Sequence, residues 1–395
     1  MLQWPGDLAG TFLCRSLQLY GEEINLEILL QSITSVTPGQ AVMWLLGGVL
    51  IYLAIVREME PTLLLPMGFG AILMNLPAAE GGGVRLVLET LFDLGIAGAE
   101  LFPLLLFIGI GAMIDFQPLL ANPKLMLFGA AAQFGIFFTL GAASALGFPL
   151  SDAASIAIIG AADGPTSIFV ATQLGSRYLG AIMVAAYSYM ALVPIVQPPI
   201  IRLLTTPAER RIRMPYRGKP VSRLTRILFP ILVTVIVGLV APDAVALIGF
   251  LMFGNLLREC GVLDNLTATA RDVLANLITI LLGITIASRM GWEEFLRWDT
   301  LMIIGLGLVA FVFDTVGGVL LAKIMNLFLR EKINPMIGAA GISAFPMSAR
   351  VVHKMGLQED NQNFLLMHAV GVNVSGQIAS VIAGGLILAL VKAAL

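Results

Sequence analysis

Residues 158–175 read IIGAADGPTSIFVATQLG, and the fold turns on them. One carboxylate, Asp163, stands on a Gly-Pro break with about ten almost uncharged apolar residues on either side. Gly164 lets the backbone leave a helix, and Pro165 removes a donor and disfavours helix at the residue before it. In a soluble protein this is a turn between two core segments. The rest of the chain decides otherwise: of 395 residues 58% are hydrophobic and 12% charged, against roughly 25% charged in soluble domains. Mean hydropathy is +0.92. The chain reads as an all-α polytopic membrane protein, and the break as a helix interrupted at membrane depth.

Working outward, apolar stretches fall at 41–56, 62–76, 100–113, 124–146, 153–174 and 178–204. A second series follows at 224–240, 243–257, 276–288, 301–329, 335–352 and 364–393. Several are shorter than the roughly 20 residues of a full span. The two series overlay. Pro61 with Gly68-Phe69 has the spacing of Pro242 with Gly249-Phe250, and Ile159-Gly-Ala-Ala162 recurs as Ile337-Gly-Ala-Ala340. This predicts two repeats, 38–204 and 227–395, of about five to six segments each, with broken helices crossing near mid-membrane. An odd number of crossings in each makes them inverted.

Residues 1–37 form a separate segment, in which acids alternate with Ile24, Leu26, Ile28 and Leu29 as in an amphipathic surface helix. Between the repeats, the linker 205–226 and its margin hold Arg202, Arg210, Arg211, Arg213, Arg217, Lys219, Arg223 and Arg226 against Glu209. That excess places the loop in the cytoplasm. It serves topology alone, or also docks an acidic partner domain. No basic start precedes a long apolar run, so no cleaved signal peptide is expected.

The exclusions narrow the chemistry. Cys14 and Cys260 make no disulfide framework, and His353 and His368 without a Cys or carboxylate cluster make no zinc or iron site. Gly109-Ile-Gly111 completes no dinucleotide fingerprint, there is no Walker loop, and nothing points to nucleic acid. The driving energy is then an ion gradient or a partner's chemistry.

A carboxylate inside hydrocarbon costs on the order of 3 kcal/mol, so Asp163 needs a partner or a task. Freed carbonyls with the Thr166 and Ser167 hydroxyls surround one negative charge with oxygens, as Na+ or a proton requires; the other reading is a satisfied cap on a half-helix. The aligned position in the second half is Gly341, so the break recurs and the charge does not. That second break supplies Asn334, Ser343, Pro346 and Arg350. Asn334 is a ligand or a helix cap; Arg350 holds a carboxylate substrate near the cytoplasmic mouth or snorkels to the interface. Asn373 and Ser375 offer neutral oxygens to a Na+ site shared with Asp163. Tyr189 passes a proton or is core with a satisfied hydroxyl. Asp314 and Lys323, nine apart in one apolar segment, serve structure or a second ion path.

These residues assembled, the chain resembles the beta subunits of the sodium-pumping biotin-dependent decarboxylases, which act on oxaloacetate, methylmalonyl-CoA, glutaconyl-CoA or malonate. The stretches that carry the likeness are GAADGPTSIFVATQLG, AAYSYMALVPIVQPPI, INPMIGAAGISAFPMSARVV and NFLLMHAVGVNVSGQIAS, with TPGQAVMWLLGGVLIYLAI near the start. It runs from about residue 37 to the end; one departure is Gly160-Ala-Ala-Asp-Gly164, where the family often has GGADG. The resemblance implies a multi-pass subunit of a prokaryotic inner membrane, homo-oligomeric within a complex of carboxyltransferase, biotin-carrier and small membrane subunits. Carboxybiotin carried by the partner is decarboxylated here, a proton from the far side is consumed, and Na+ is exported. Asp163 is then the Na+ and proton carboxylate, and Tyr189, Asn334, Gly338, Ser343, Arg350 and Asn373 fall on functional positions. On physics alone, a stand-alone Na+-coupled organic-anion symporter or cation/proton antiporter fits the same broken-helix architecture.

Overall fold

The protein, seen in a computed structural model, is described over residues 35–77, 83–98, 100–215 and 220–394. Nearly all of the segment 1–37, and 216–219 of the linker with Arg217 and Lys219, lie outside the described residues. Every regular element among the described residues is helical. In chain order they are α1 (Pro38–Val56), α2 (Pro61–Met74), α3 (Gly83–Phe92), α4 (Leu101–Met113), α5 (Gln117–Ala121), α6 (Met126–Ala132), α7 (Phe134–Ala145), α8 (Leu150–Ala157), α9 (Gly164–Gln173) and α10 (Leu179–Leu204). After the linker helix α11 (Pro207–Arg210) come α12 (Arg223–Val240), α13 (Val245–Cys260), α14 (Asp264–Ala268), α15 (Ala275–Ile286), α16 (Trp292–Phe295), α17 (Trp298–Phe328), α18 (Met347–Glu359) and α19 (Leu366–Ala394).

Local sequence explains the boundaries. At α1, Thr37 accepts from the Gln40 amide while the Gln40 side chain accepts from the Thr37 amide, with Pro38 in the first turn. Among the described residues seven helices are long and apolar enough to cross a membrane: Pro38–Val56, Pro123–Ala145, Leu179–Leu204, Arg223–Val240, Asp264–Arg289, Trp298–Phe328 and Leu366–Ala394. The bent pair Gly83–Ala97 and Leu101–Met113 makes an eighth if it is one span.

The two interrupted segments are built differently from these. In the first, α8 passes through a 3-10 turn, Ile158–Ala161, then Ala162 takes a left-handed conformation (φ 51°) and α9 begins. The chain then doubles back, because Ser176 Oγ and Arg177 Nε donate to the two oxygens of Asp152, at 2.8 and 2.9 Å. In the second, a 3-10 segment, Pro335–Gly341, leads to α18. Its two ends are held together at the linker: the Asn334 and Asn363 amides both donate to the Arg210 carbonyl, and Arg210 Nε pairs with Glu359 at 2.6 Å.

Both segments are therefore hairpins, and they meet tip to tip. Ser343 donates to the Ala161 carbonyl through its backbone amide (3.1 Å) and its hydroxyl (2.8 Å). Two long helices frame the meeting point. Helix α17 packs Ala310 and Asp314 against Gly160 and Gly318 against Gly338, where the backbones come so close that no side chain fits at either glycine. Helix α19 runs past both tips, and the largest hydrophobic core gathers residues of α17, α18 and α19 with both hairpins.

Candidate ion-binding site

Asp163 is 3% exposed and caps α9 in extended conformation, with Oδ1 accepting from the Thr166 amide at 3.3 Å. Oδ2 accepts from Gln377 Nε2 at 3.0 Å and from Ser380 Oγ at 2.8 Å. Asn373, Gln377 and Ser380 occupy one face of α19 at i, i+4 and i+7, so an otherwise apolar helix turns a polar stripe to the tips. Charge-assisted bonds offset part of the cost of burying the carboxylate, yet all three donors are neutral. The negative charge itself is left for a cation to balance.

Oxygens for that cation lie beside it. The Thr166 and Ser343 hydroxyls are within reach of the carboxylate, and Asn373 Oδ1 is buried without a hydrogen-bond partner among the described residues. The Asn373 amide is fixed by donating to the Ala340 and Ile342 carbonyls, at 3.1 and 2.7 Å. Its bare Oδ1 lies one helical turn before Gln377. A buried lone pair without a donor is costly unless something positive meets it. One carboxylate with neutral hydroxyl and amide oxygens is a donor set that fits Na+, a hard ion of single charge. Among the described residues no group of three or more His, Cys, Asp or Glu gathers in the manner of a transition-metal site.

The other expected residues divide into two sets. Gly164 is at the site: the Tyr187 ring packs where its side chain would be, 2.3 Å from an added Cβ, and the Tyr187 hydroxyl is buried without a hydrogen-bond partner among the described residues. Pro165 starts α9 and Pro346 caps α18, so both shape the tips. Asn334 sits at the mouth of the second hairpin, its amide donating to the Arg210 and Ile212 carbonyls. Gly338 serves the close packing on α17. Tyr189 faces away from Asp163, its hydroxyl donating to the Ile304 carbonyl. Ser375 is spent on the carbonyls of Leu125 and Val372.

Arg350 is exposed on α18, one turn from the tip, with Lys354 exposed a turn further on. Across from it lies Glu60, whose carboxyl is pushed up by burial against the opposing pull of Arg350. Lys323 has a structural task, holding the Leu204 carbonyl at 3.0 Å and Glu209 at 3.2 Å. Several of the linker's basic side chains act within the chain: Arg210 with Glu359, Arg213 with Asp360, Arg226 with Glu259 and Arg223 with the Cys260 carbonyl.

Sequence reading missed Gln377, Ser380 and Tyr187. The signal for the first two was present as the 373/377/380 spacing; for Tyr187 there was none, because Tyr187 and Tyr189 carry the same chemistry two residues apart.

Comparison with known proteins identifies the family. The sequence profile of the Na+-transporting oxaloacetate decarboxylase beta subunit matches residues 39–391. The methylmalonyl-CoA decarboxylase subunit beta of Propionigenium modestum is 49% identical over 376 residues, covering 89% of this chain and 95% of that protein. The oxaloacetate decarboxylase beta chain of Klebsiella pneumoniae is 45% identical over 417 residues, covering 90% and 96%. The glutaconyl-CoA decarboxylase subunit beta of Acidaminococcus fermentans is 48% identical over 359 residues, covering 90% and 94%. With matches spanning nearly the whole of each partner, the chain belongs to the family of Na+-transporting decarboxylase beta subunits.

Proposed function

We propose that this chain decarboxylates carboxybiotin presented by a partner's carrier domain and exports Na+ through the Asp163 site. The observation that carries the reading is a buried carboxylate at the meeting of two hairpin tips, held by neutral donors, with the Thr166 and Ser343 hydroxyls beside it. Na+ and a proton compete for that one charge. Proton uptake at Asp163 releases Na+ to the far side, and Na+ binding from the cytoplasm expels the proton. In the coupled reaction an N-carboxylated biotin takes up that proton at the ring nitrogen as the N–C bond breaks, giving biotin and CO2.

Arg350 supports the same reading. It is exposed near the tip, opposite Glu60 but in no salt bridge among the described residues, and with Lys354 it lines one face of α18 with positive charge, as the docking of an anionic carboxyl requires. The order of elements supports an inverted repeat: each half runs through three helical segments, the third holding a π-helical turn (Asp93–Ala97, Thr269–Leu274), then a long segment, a hairpin and a final long helix. With the shorter helices α2 and α13 counted as crossings beside the seven long helices and the bent pair, each half has five crossings and one hairpin, the odd number that an inverted repeat requires. The basic linker sets the cytoplasmic side. Partners are the carboxyltransferase and biotin-carrier subunits with a small membrane subunit, and the chain acts as a homo-oligomer with them in a prokaryotic inner membrane. Tyr189, and Asn334 at the cytoplasmic mouth, act on the ion path by holding α10 against α17 and the hairpin against the linker.

The test is Asp163→Asn in the complete complex, recovered on avidin through its biotin and reconstituted in liposomes. Radioactive Na+ uptake and Na+-stimulated CO2 release are expected to fall by about 100-fold or more, the scale of losing a proton-transferring group. Full pumping by that variant rules the site out. A subunit that transports Na+ without any biotinylated partner would instead be a stand-alone transporter.

A further inference from the structure

A second carboxylate lies wholly inside the helical core. Asp314, at the centre of α17, has no exposed surface. Its Oδ1 accepts from the Ile136 amide at 3.2 Å, at the start of α7, so it caps that helix from a neighbouring one. Among the described residues Oδ2 has no hydrogen-bond partner. It points at Gly160, where an added Cβ would lie 2.9 Å away. Gly160 belongs to the 3-10 turn that ends beside Asp163.

Among the described residues no basic side chain faces Asp314. Helices α6 and α7, the turn 158–161 and the segment 335–341 carry no titratable side chain. On the other elements packed against α17, α8 brings Asp152, tied to Arg177; α10 brings Tyr187, Tyr189 and Arg202; α16 brings Glu293 and Glu294. On α17 itself, Asp299 lies at the first turn and Lys323 is paired with Glu209. A carboxylate with one bare oxygen in such surroundings is costly, and a cation at that oxygen removes the cost. The recess at Gly160 is smaller than a methyl group, too small for an ion that needs several oxygens around it.

We propose that Asp314 carries a proton on Oδ2 and that the Gly160 turn couples this proton to the ion site. When Na+ binding at Asp163 shifts the first hairpin, the recess opens, the Oδ2–H bond breaks and the proton passes to entering water. This rests on the ion-pump reading of Asp163.

The experiment follows protons released when NaCl is added to the detergent-solubilised complete complex in weakly buffered solution, with Na+-induced infrared difference spectra recorded in parallel. The wild type is expected to release protons from both carboxyls. Asp314→Asn, which keeps an acceptor for the Ile136 amide, is expected to release one proton fewer per chain and to lose one carboxylic-acid carbonyl band. Asp163→Asn loses a different proton and band. If Asp314→Asn releases as many protons as the wild type and keeps every band, Asp314 is only a helix cap and the inference fails. If Asp163→Asn alone behaves as wild type, it is the pump reading that fails. Should Asp314→Asn not assemble, Gly160→Ala leaves both carboxyls in place while pressing a methyl onto Oδ2. A shifted band and fewer protons support the proposal, and an unchanged response overturns it.

Discussion

The two hairpin tips are made from the same short motif and do different work. The first, Ile159-Gly-Ala-Ala162, runs into Asp163; the second, Ile337-Gly-Ala-Ala340, runs into Gly341. At the first tip three donors from α9 and α19 converge on one charge. At the second, the freed carbonyls of Ala339, Ala340 and Ile342 are taken by neutral amides of Gln197 and Asn373. Breaking a helix inside a membrane therefore needs only donors for the loosened carbonyls. The charge is an addition at one tip, and its cost is what the proposed ion site accounts for.

The sharpest way to break this comparison is to put a charge on the second tip. Gly341 packs against the Phe128 carbonyl and Ala132, which an added Cβ would approach to 2.6 and 2.8 Å. Gly341→Asp combines overpacking with an unpaired buried charge, a cost of about 3 kcal/mol or more. Little or no complex is expected on avidin, whereas Asp163→Asn assembles normally and fails only in pumping. A Gly341→Asp complex of normal yield would show that the tips differ less than their packing indicates.

Local features of the site were legible in the sequence. Asp163, Gly164, Pro165, Ser343 and Asn373 stand out because a charge, a break or a polar group in apolar sequence is visible without knowing its neighbours. Partnership across the fold was not. Asp163 meets Ser380 across 217 residues, and Asp314 meets the Ile136 amide across 178. With six segments in each half, an odd number of crossings leaves one to be re-entrant or interfacial, but which one doubles back was hidden, since the apolar runs resemble short spans; what closes them is the pairing of Asp152 with Ser176 and of Arg210 with Glu359. Tyr189 was singled out over Tyr187, but two residues along a helix are about 200° apart, so one faces the ion site and the other α17.

The donors at the first tip give the next test. Gln377→Leu and Ser380→Ala each remove one bond to Oδ2, worth about 1.4 kcal/mol for a charged acceptor. Half-saturating Na+ for CO2 release is expected to rise about tenfold in each. Because both donate to one oxygen, the double variant should fall short of the product of the two. Unchanged Na+ activation in both would detach α19 from the ion site.

Arg350 separates ion binding from substrate binding. If it meets the carboxyl of carboxybiotin, Arg350→Ala raises the KM for the carrier by about tenfold or more, through loss of a charge-assisted bond. Half-saturating Na+ stays the same. Arg350→Lys should recover part of the loss, since charge is kept and only the planar fork is lost. A variant that moves the Na+ dependence while leaving the KM alone would place Arg350 in the ion path instead.

The smallest effect concerns the base of the second hairpin, where the linker grips it. Glu209 is pulled both ways: burial raises its carboxyl, but the Thr206 amide and hydroxyl and the Lys323 ammonium together hold it below the usual range. A carboxyl depressed in the folded protein stabilises it at pH above the unfolded value of about 4.3, and that contribution is lost as pH falls through the lower folded value. The linker should therefore loosen below about pH 4, read as faster cleavage by an acid protease within 205–226. For a surface ion pair the step should be only about twofold. Glu209→Gln should flatten it. Asp360 is also depressed, by Arg213, and titrates on the same side of the hairpin. An acid step that survives Glu209→Gln and vanishes in Asp360→Asn would move the latch from α11 to the Arg213 pair, leaving the second tip anchored through its far arm alone.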